Sequence, residues 1–90
     1  MEVEQNDSGA LNNKLLKALG DAVQTRRLQI SVSQDDLAKI AGLSRSMVVR
    51  LEHGLLDPDL STLYRIASAL DCNVHEILDL IETALPASKE

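Results

Sequence analysis

Arg45, Ser46, Val49 and Arg50 share a short helix read from about Arg45 to His53, and they are the members of it that a buried core does not claim. An arginine can donate two parallel hydrogen bonds to the O6 and N7 of guanine, and side chains near the N-terminus of a helix are those that reach base edges in a major groove. The set therefore has the chemistry of base reading, with a guanine-containing half-site as the mild expectation. The same two arginines can instead meet only phosphates or solvent, because half or more of protein to DNA hydrogen bonds go to phosphate and sugar. Gln34 begins the preceding helix, where free backbone amides and the positive end of the helix dipole favour a phosphate, and Lys39 and His53 can help it. A plain first-turn residue is the alternative for Gln34, since Asp35 and Asp36 already complement that dipole.

Other chemistry has little to stand on. Cys72 and His75 are three apart, but two ligands with no others nearby do not make a zinc site, so no metal is expected. Serines, histidines and carboxylates occur without a nucleophile motif, and no glycine-rich phosphate loop is present, so neither enzyme activity nor a cofactor is expected.

The elements that must position the arginines are legible around them. Residues Gln34 to Leu51, QDDLAKIAGLSRSMVVRL, read as two short helices hinged at Gly42, a helix-turn-helix with a small residue, Ala38, where the second helix crosses the first. Leu37, Ala41, Leu43, Val48 and Leu51 fall at offsets that face a common core. Ser33 precedes Asp36 by three, an N-cap pattern, so helix 2 spans about Gln34 to Ala41, and Ser44 caps helix 3 before Gly54 ends it. Helix 1 fits from about Ala10 to Gln29, with Leu16, Leu19 and Val23 on one ladder. Helix 4 follows the Asp57-Pro58-Asp59 turn from about Leu60 to Leu70, burying Leu63, Ile66, Ala67 and Leu70, with Leu55 and Leu56 expected to tuck inward ahead of it. Helix 5 runs from about Val74, capped by Asn73, to Ala84. Residues 1–9 read as a disordered acidic tail, 10–85 as one domain and 86–90 as a frayed end.

Two further features need explanation. Arg27 is the next rung of the helix 1 ladder, and a guanidinium facing a core needs a counter-charge, for which Glu52 is the candidate; two separate solvated charges are the alternative. Helix 5 is apolar over an arc of roughly 160°, with Val74, Leu78, Ile81 and Leu85 in one stripe and Ile77, Leu80 and Ala84 in an adjoining one. One stripe can cover a small core, so the excess suggests a second copy across a two-fold axis, although a monomer that swallows both remains open. A dimer would set two reading helices about 34 Å apart and require a roughly palindromic site.

Composition bounds the rest. Ninety residues with 44% hydrophobic content and a single aromatic, Tyr64, give one all-α domain with an aliphatic core. They also argue against RNA and single-strand platforms, which stack bases on aromatic rings. One cysteine, no signal peptide and no long apolar run point to a cytoplasmic protein with no membrane partner. The formal charge of −5 runs against nucleic-acid binding, but residues 11–54 carry seven Lys and Arg against four Asp and Glu, a net of +3 that leaves −8 for the remainder. The molecule is therefore expected to be dipolar, with one face able to approach DNA.

Ser33-Gln34-x-x-Leu37-Ala38, Gly42-Leu43-Ser44-Arg45-Ser46, Leu51-Glu52-x-Gly54, Pro58-x-Leu60-x-x-Leu63 and Ala69-Leu70, in that order, resemble the phage-repressor and Cro type helix-turn-helix family, the lambda-repressor-like fold, from about Leu16 to Leu78. The resemblance implies a five-helix bundle that binds operator DNA as a homodimer and regulates transcription, as phage repressors and restriction-modification controllers do. It carries base contacts to Arg45, Ser46 and Arg50, with Met47 and Val49 able to touch a thymine methyl, and it supports a phosphate contact at Gln34 and the pairing of Arg27 with Glu52. His53 stands where the family usually has Asn, Asp71 where a glycine often ends helix 4, and the connector between helices 1 and 2 is slightly long. The resulting expectation is a sequence-specific regulator, repressor or controller in type; an antitoxin or other protein-binding module on the same fold is the alternative.

Overall fold

Four of the five helices start on a side chain that satisfies one of their own free amides. In the computed structural model, which describes the backbone of residues 2–85 and the side chains of residues 9–85, the order is α1 (Glu2–Gln29), α2 (Gln34–Ala41), α3 (Arg45–Glu52), α4 (Leu60–Ala69) and α5 (Val74–Ala84). The expected frayed end, 86–90, lies outside the described residues. Ser33 Oγ accepts from Asp36 N at 3.0 Å, Ser44 Oγ from Met47 N at 3.1 Å, and Asp59 Oδ1 from Thr62 N at 2.9 Å. Asn73 Oδ1 accepts from Glu76 N while Glu76 Oε1 accepts from Asn73 N, both at 3.0 Å, a reciprocal capping box. The architecture is all-α, with no strand among the described residues.

The helix ends share a closure. After each of α1 to α4, one residue turns left-handed, its N–H reaches back three residues, and the next N–H reaches back five. At Ser31 (φ 60°) the bonds are Ser31 N to Leu28 O at 3.2 Å and Val32 N to Arg27 O at 3.0 Å. At Gly42 (φ 72°) they are Gly42 N to Lys39 O at 3.3 Å and Leu43 N to Ala38 O at 2.8 Å. Gly54 and Asp71 repeat the pattern, at φ 75° and 56°. Gly42 suits this conformation because it has no Cβ to strike the following carbonyl. Asp71 holds it with a side chain, and Arg26 of α1 braces the spot by donating from Nε to Leu70 O at 3.0 Å and from Nη2 to Asp71 O at 2.8 Å.

α1 packs against α3 and α5, α2 against α3 and α4, and α4 against α5. Leu19, Val23, Leu37, Ala41, Val48, Leu51, Ile66, Ala67 and Leu70 are buried in one cluster, with Leu43, Leu56 and Leu63 packed on its margin. Three readings are corrected. α1 begins at Glu2 instead of near Ala10: Ser8 and Gly9 lower helix propensity by no more than about 1 kcal/mol each, and no proline interrupts the run. Leu55 does not tuck inward; it is exposed, because the closure after α3 turns it outward while Leu56 packs against the core. Ile77 and Ile81 of α5, expected at a dimer interface, are sealed inside the chain's own core.

The shared closure makes opposite demands at its two kinds of position. Asp71→Gly is expected to raise stability by about 1 kcal/mol and Gly42→Ala to lower it by about 1 to 2 kcal/mol, since an L-residue in this region carries a steric cost that glycine lacks. Urea titration at unchanged slope measures both, and a lowered midpoint for Asp71→Gly would show that the Asp71 side chain contributes more than its backbone strain costs.

Candidate nucleic-acid interface

The second helix of the helix-turn-helix divides into a sealed face and an open one. Val48 and Leu51 are fully buried, Arg45, Ser46 and Arg50 are exposed, and Met47 and Val49 lie half-buried between them. A helix of eight residues has little stability alone, so packing through Val48 and Leu51 must hold it. Its first turn carries no carboxylate of its own, which leaves the positive end of its dipole uncompensated from within.

The C-terminal end of α3 is fastened to α1 in two ways. The first is contact between backbones at Gly20, where a Cβ would stand 2.5 Å from Leu51 O and 2.7 Å from Glu52 O. No other residue fits there without moving α3. The second is the ion pair of Arg27 and Glu52, each only 8% exposed. Arg27 Nε donates to Glu52 Oε2 at 2.6 Å and Nη2 to Oε1 at 3.0 Å, a two-point grip, while Nη1 donates to Val32 O at 3.0 Å. These hydrogen bonds to Glu52 push the guanidinium pKa upward against the opposing effect of burial, so the cation persists wherever the fold does.

Gln34 joins this network: its Nε2 donates to Glu52 Oε1 at 3.0 Å, so the side chain faces inward and one amide hydrogen remains for another acceptor. Lys39 is exposed on α2. His53, just past α3, has Nδ1 2.8 Å from Val49 O, which places the proton on that nitrogen and leaves Nε2 open to solvent. Arg45 Nε lies 3.4 Å from Asp35 Oδ1. The structure thus gathers Arg45, Ser46 and Arg50 on one exposed helix face, with Gln34 drawn into the buried network.

A helix-turn-helix family model, HTH_3, matches residues 23–77. The chain belongs to this helix-turn-helix family. An uncharacterised HTH-type transcriptional regulator of Haemophilus influenzae is 31% identical over 65 residues, which are 72% of this chain and 66% of that one. A second, from Archaeoglobus fulgidus, is 32% identical over 59 residues, 66% of this chain and 83% of that one. Among solved structures, the restriction-modification controller protein C.AhdI from Aeromonas hydrophila superposes with a TM-score of 0.67 at 32% identity, over 69% of this chain and 94% of that chain. The clp gene regulator ClgR from Corynebacterium glutamicum superposes at 0.76 with 26% identity, over 78% and 74%. HTH_3 proteins are DNA-binding regulators, not enzymes, and the matched span contains α2, the turn and α3 whole.

Sequence reasoning missed three residues, Gly20 and Asp35 beside α3 and Arg26 at the end of α4. Gly20 carried the signal of a glycine in the middle of a helix, but its partner lay far along the chain. Arg26 was read only as charge, and Asp35 only as a dipole complement. Elsewhere, Cys72 is half-buried and burial pushes its thiol pKa up, away from nucleophilic use. Among the described residues no helix is long and apolar enough to cross a membrane.

Removing one partner of the buried pair should cost about 3 to 5 kcal/mol, because the other charge is left unpaired in the interior. The double variant Arg27→Met with Glu52→Leu should therefore be less destabilised than the sum of the singles, by well over the ~0.5 kcal/mol at which additivity is normally judged. Chemical denaturation of the four proteins measures the coupling, and additive losses would mean that the pair does not act as a unit.

Proposed function

We propose that the protein is a sequence-specific transcriptional regulator, repressor or controller in type, that binds a roughly palindromic operator in double-stranded DNA as a homodimer. The observation that carries this reading is the open face of α3: Arg45, Ser46 and Arg50 are exposed on a helix whose opposite face is sealed in the core. A major groove admits a helix of this size, and a helix anchored from behind presents its side chains without loosening the fold. Arg45 and Arg50 read guanine, Ser46 supplies a hydroxyl, and Met47 and Val49 touch thymine methyls with the side that half-burial leaves free. Gln34, through its remaining amide hydrogen, and Lys39 and His53 meet phosphates. The 32% identity to a restriction-modification controller supports a controller role.

The dimer surface is narrower than the apolar arc of α5. At about 100° per residue, Leu78 and Leu80 flank the buried Ile77 and Ile81 on opposite sides. Val74 and Leu85, half-buried, share the Leu78 edge, which is therefore the edge assigned to the partner copy. Leu80, alone on the opposite edge, borders one groove between α1 and α5, and Leu85 borders another.

Selection from random duplex DNA at stated salt should return a two-fold symmetric site. Arg45→Ala and Arg50→Ala should each weaken binding to it by about 1 to 3 kcal/mol and relax preference at one base pair of the half-site. Uniform loss across all sequences would make them phosphate contacts, and failure to enrich any sequence would end the base-reading proposal.

Leu78→Glu should shift the protein to monomer in sedimentation velocity and weaken the selected operator more than tenfold, whereas Leu80→Glu should leave assembly intact. A wild-type protein that is monomeric both free and on a single half-site would remove the dimer from the proposal.

A further inference from the structure

We propose that Asp35 is a positioning residue for Arg45 and a source of discrimination between operator and other DNA; this rests on the base-reading role of Arg45 proposed above. Asp35 lies in the first turn of α2, and its Oδ1 is 3.4 Å from Arg45 Nε in the first turn of α3. The two carboxylates of that turn have different surroundings. Asp36 closes the Ser33 cap with its backbone N–H, and the Asp35 carboxylate reaches across to Arg45 of α3. Both side chains of the Asp35–Arg45 pair are well exposed, 59% and 66%, so the pair contributes little to stability.

Its effect is on geometry and selection. A guanidinium offers a side edge that includes Nε and an end edge formed by its two Nη groups. A carboxylate at Nε occupies the side edge and leaves the end edge as the fork available to span guanine O6 and N7. Restraining a long side chain before docking also removes part of the ordering cost otherwise met on binding. The carboxylate acts a second time through its charge. At a non-cognate site Arg45 can gain only by meeting a phosphate, and Asp35 beside it repels that same phosphate. Over a guanine, the fork engages neutral base atoms and the penalty is smaller. Asp35 thus weakens non-specific binding more than specific binding, which is a route to specificity by penalising the wrong partner.

The test uses the duplex selected from the random pool and a scrambled duplex of equal length, with fluorescence anisotropy at one fixed salt for wild type, Asp35→Asn, Asp35→Glu, Arg45→Ala and the Asp35→Asn, Arg45→Ala double variant. Asp35→Asn is expected to tighten the scrambled duplex and reduce the ratio of affinities roughly tenfold, within the span of one bidentate base contact. Asp35→Glu should restore most of the ratio, and in the Arg45→Ala background the Asp35→Asn change should have almost no effect on it. A purely structural role would move thermal stability and leave the ratio alone. A selective wild type whose ratio is unchanged by Asp35→Asn, or changed equally without Arg45, overturns the role of Asp35 only. A wild type that does not discriminate between the duplexes overturns base reading and this inference together.

Discussion

The buried pair of Arg27 and Glu52 is the interaction around which the rest of the molecule is arranged. Taking two charges out of water costs several kcal/mol per ion, and only close geometry with every polar atom engaged offsets it. Here the carboxylate accepts from two nitrogens of Arg27 and from Gln34, while the third Arg27 nitrogen is bonded to Val32 O. No buried side-chain polar atom among the described residues lacks a partner. A pair so fully satisfied tolerates little displacement, and with Gln34 it ties α1, the start of α2 and the last residue of α3 together. It therefore acts less as a source of stability than as a register that allows α3 one position relative to α1.

Gly20 enforces the same register by different means. The ion pair attracts the end of α3 toward α1, and the absent side chain permits the approach to reach backbone contact at Leu51 and Glu52. Attraction without the gap would stop short, and the gap without the attraction would leave a void. With its C-terminus fixed by both and its middle by Val48, α3 holds one pose, which its exposed residues Arg45, Ser46 and Arg50 share. A probe of base edges requires this, because bidentate hydrogen bonds lose their discrimination when the donor can shift to accommodate the wrong base.

Local rules made most of the fold legible in the sequence. Ser33, Ser44, Asp59 and Asn73 are cap residues within a few positions of the helices they start, and Gly42 is the residue a left-handed turn favours, so α2 and α5 were bounded correctly and α3 and α4 were extended by one residue. The ladder through Leu19 and Val23 put Arg27 in the core because helical period alone fixes which face a residue takes. What stayed hidden depends on partners remote in sequence. Ser31 adopts left-handed backbone without the glycine that would announce it, and although the resemblance marks Asp71 as standing where a glycine often ends helix 4, its brace, Arg26, lies 45 residues away. Helix 5 shows the limit most clearly: its apolar arc was visible, but assigning Ile77 and Ile81 to the core and Leu78 to the surface requires knowing where α1 and α4 lie.

The charge distribution completes the physical case. An acidic chain can still dock on a polyanion if its carboxylates lie beyond the reach of the field at the contact, which at physiological salt is about 8 Å. On the helix-turn-helix itself, Lys39, Arg45 and Arg50 are exposed cations and Asp35 and Asp36 the exposed acids beside them, whereas Arg26 is turned to the carbonyls of Leu70 and Asp71 and Arg27 to Glu52. The net of +3 between residues 11 and 54 is therefore not all carried by one face, because two of its seven cations are committed to contacts inside the fold. Asp35 is distinctive because its carboxylate lies 3.4 Å from Arg45 Nε. On the proposed DNA-binding surface such a carboxylate would weaken raw affinity, a cost offset only where selection among sequences matters more than strength of binding.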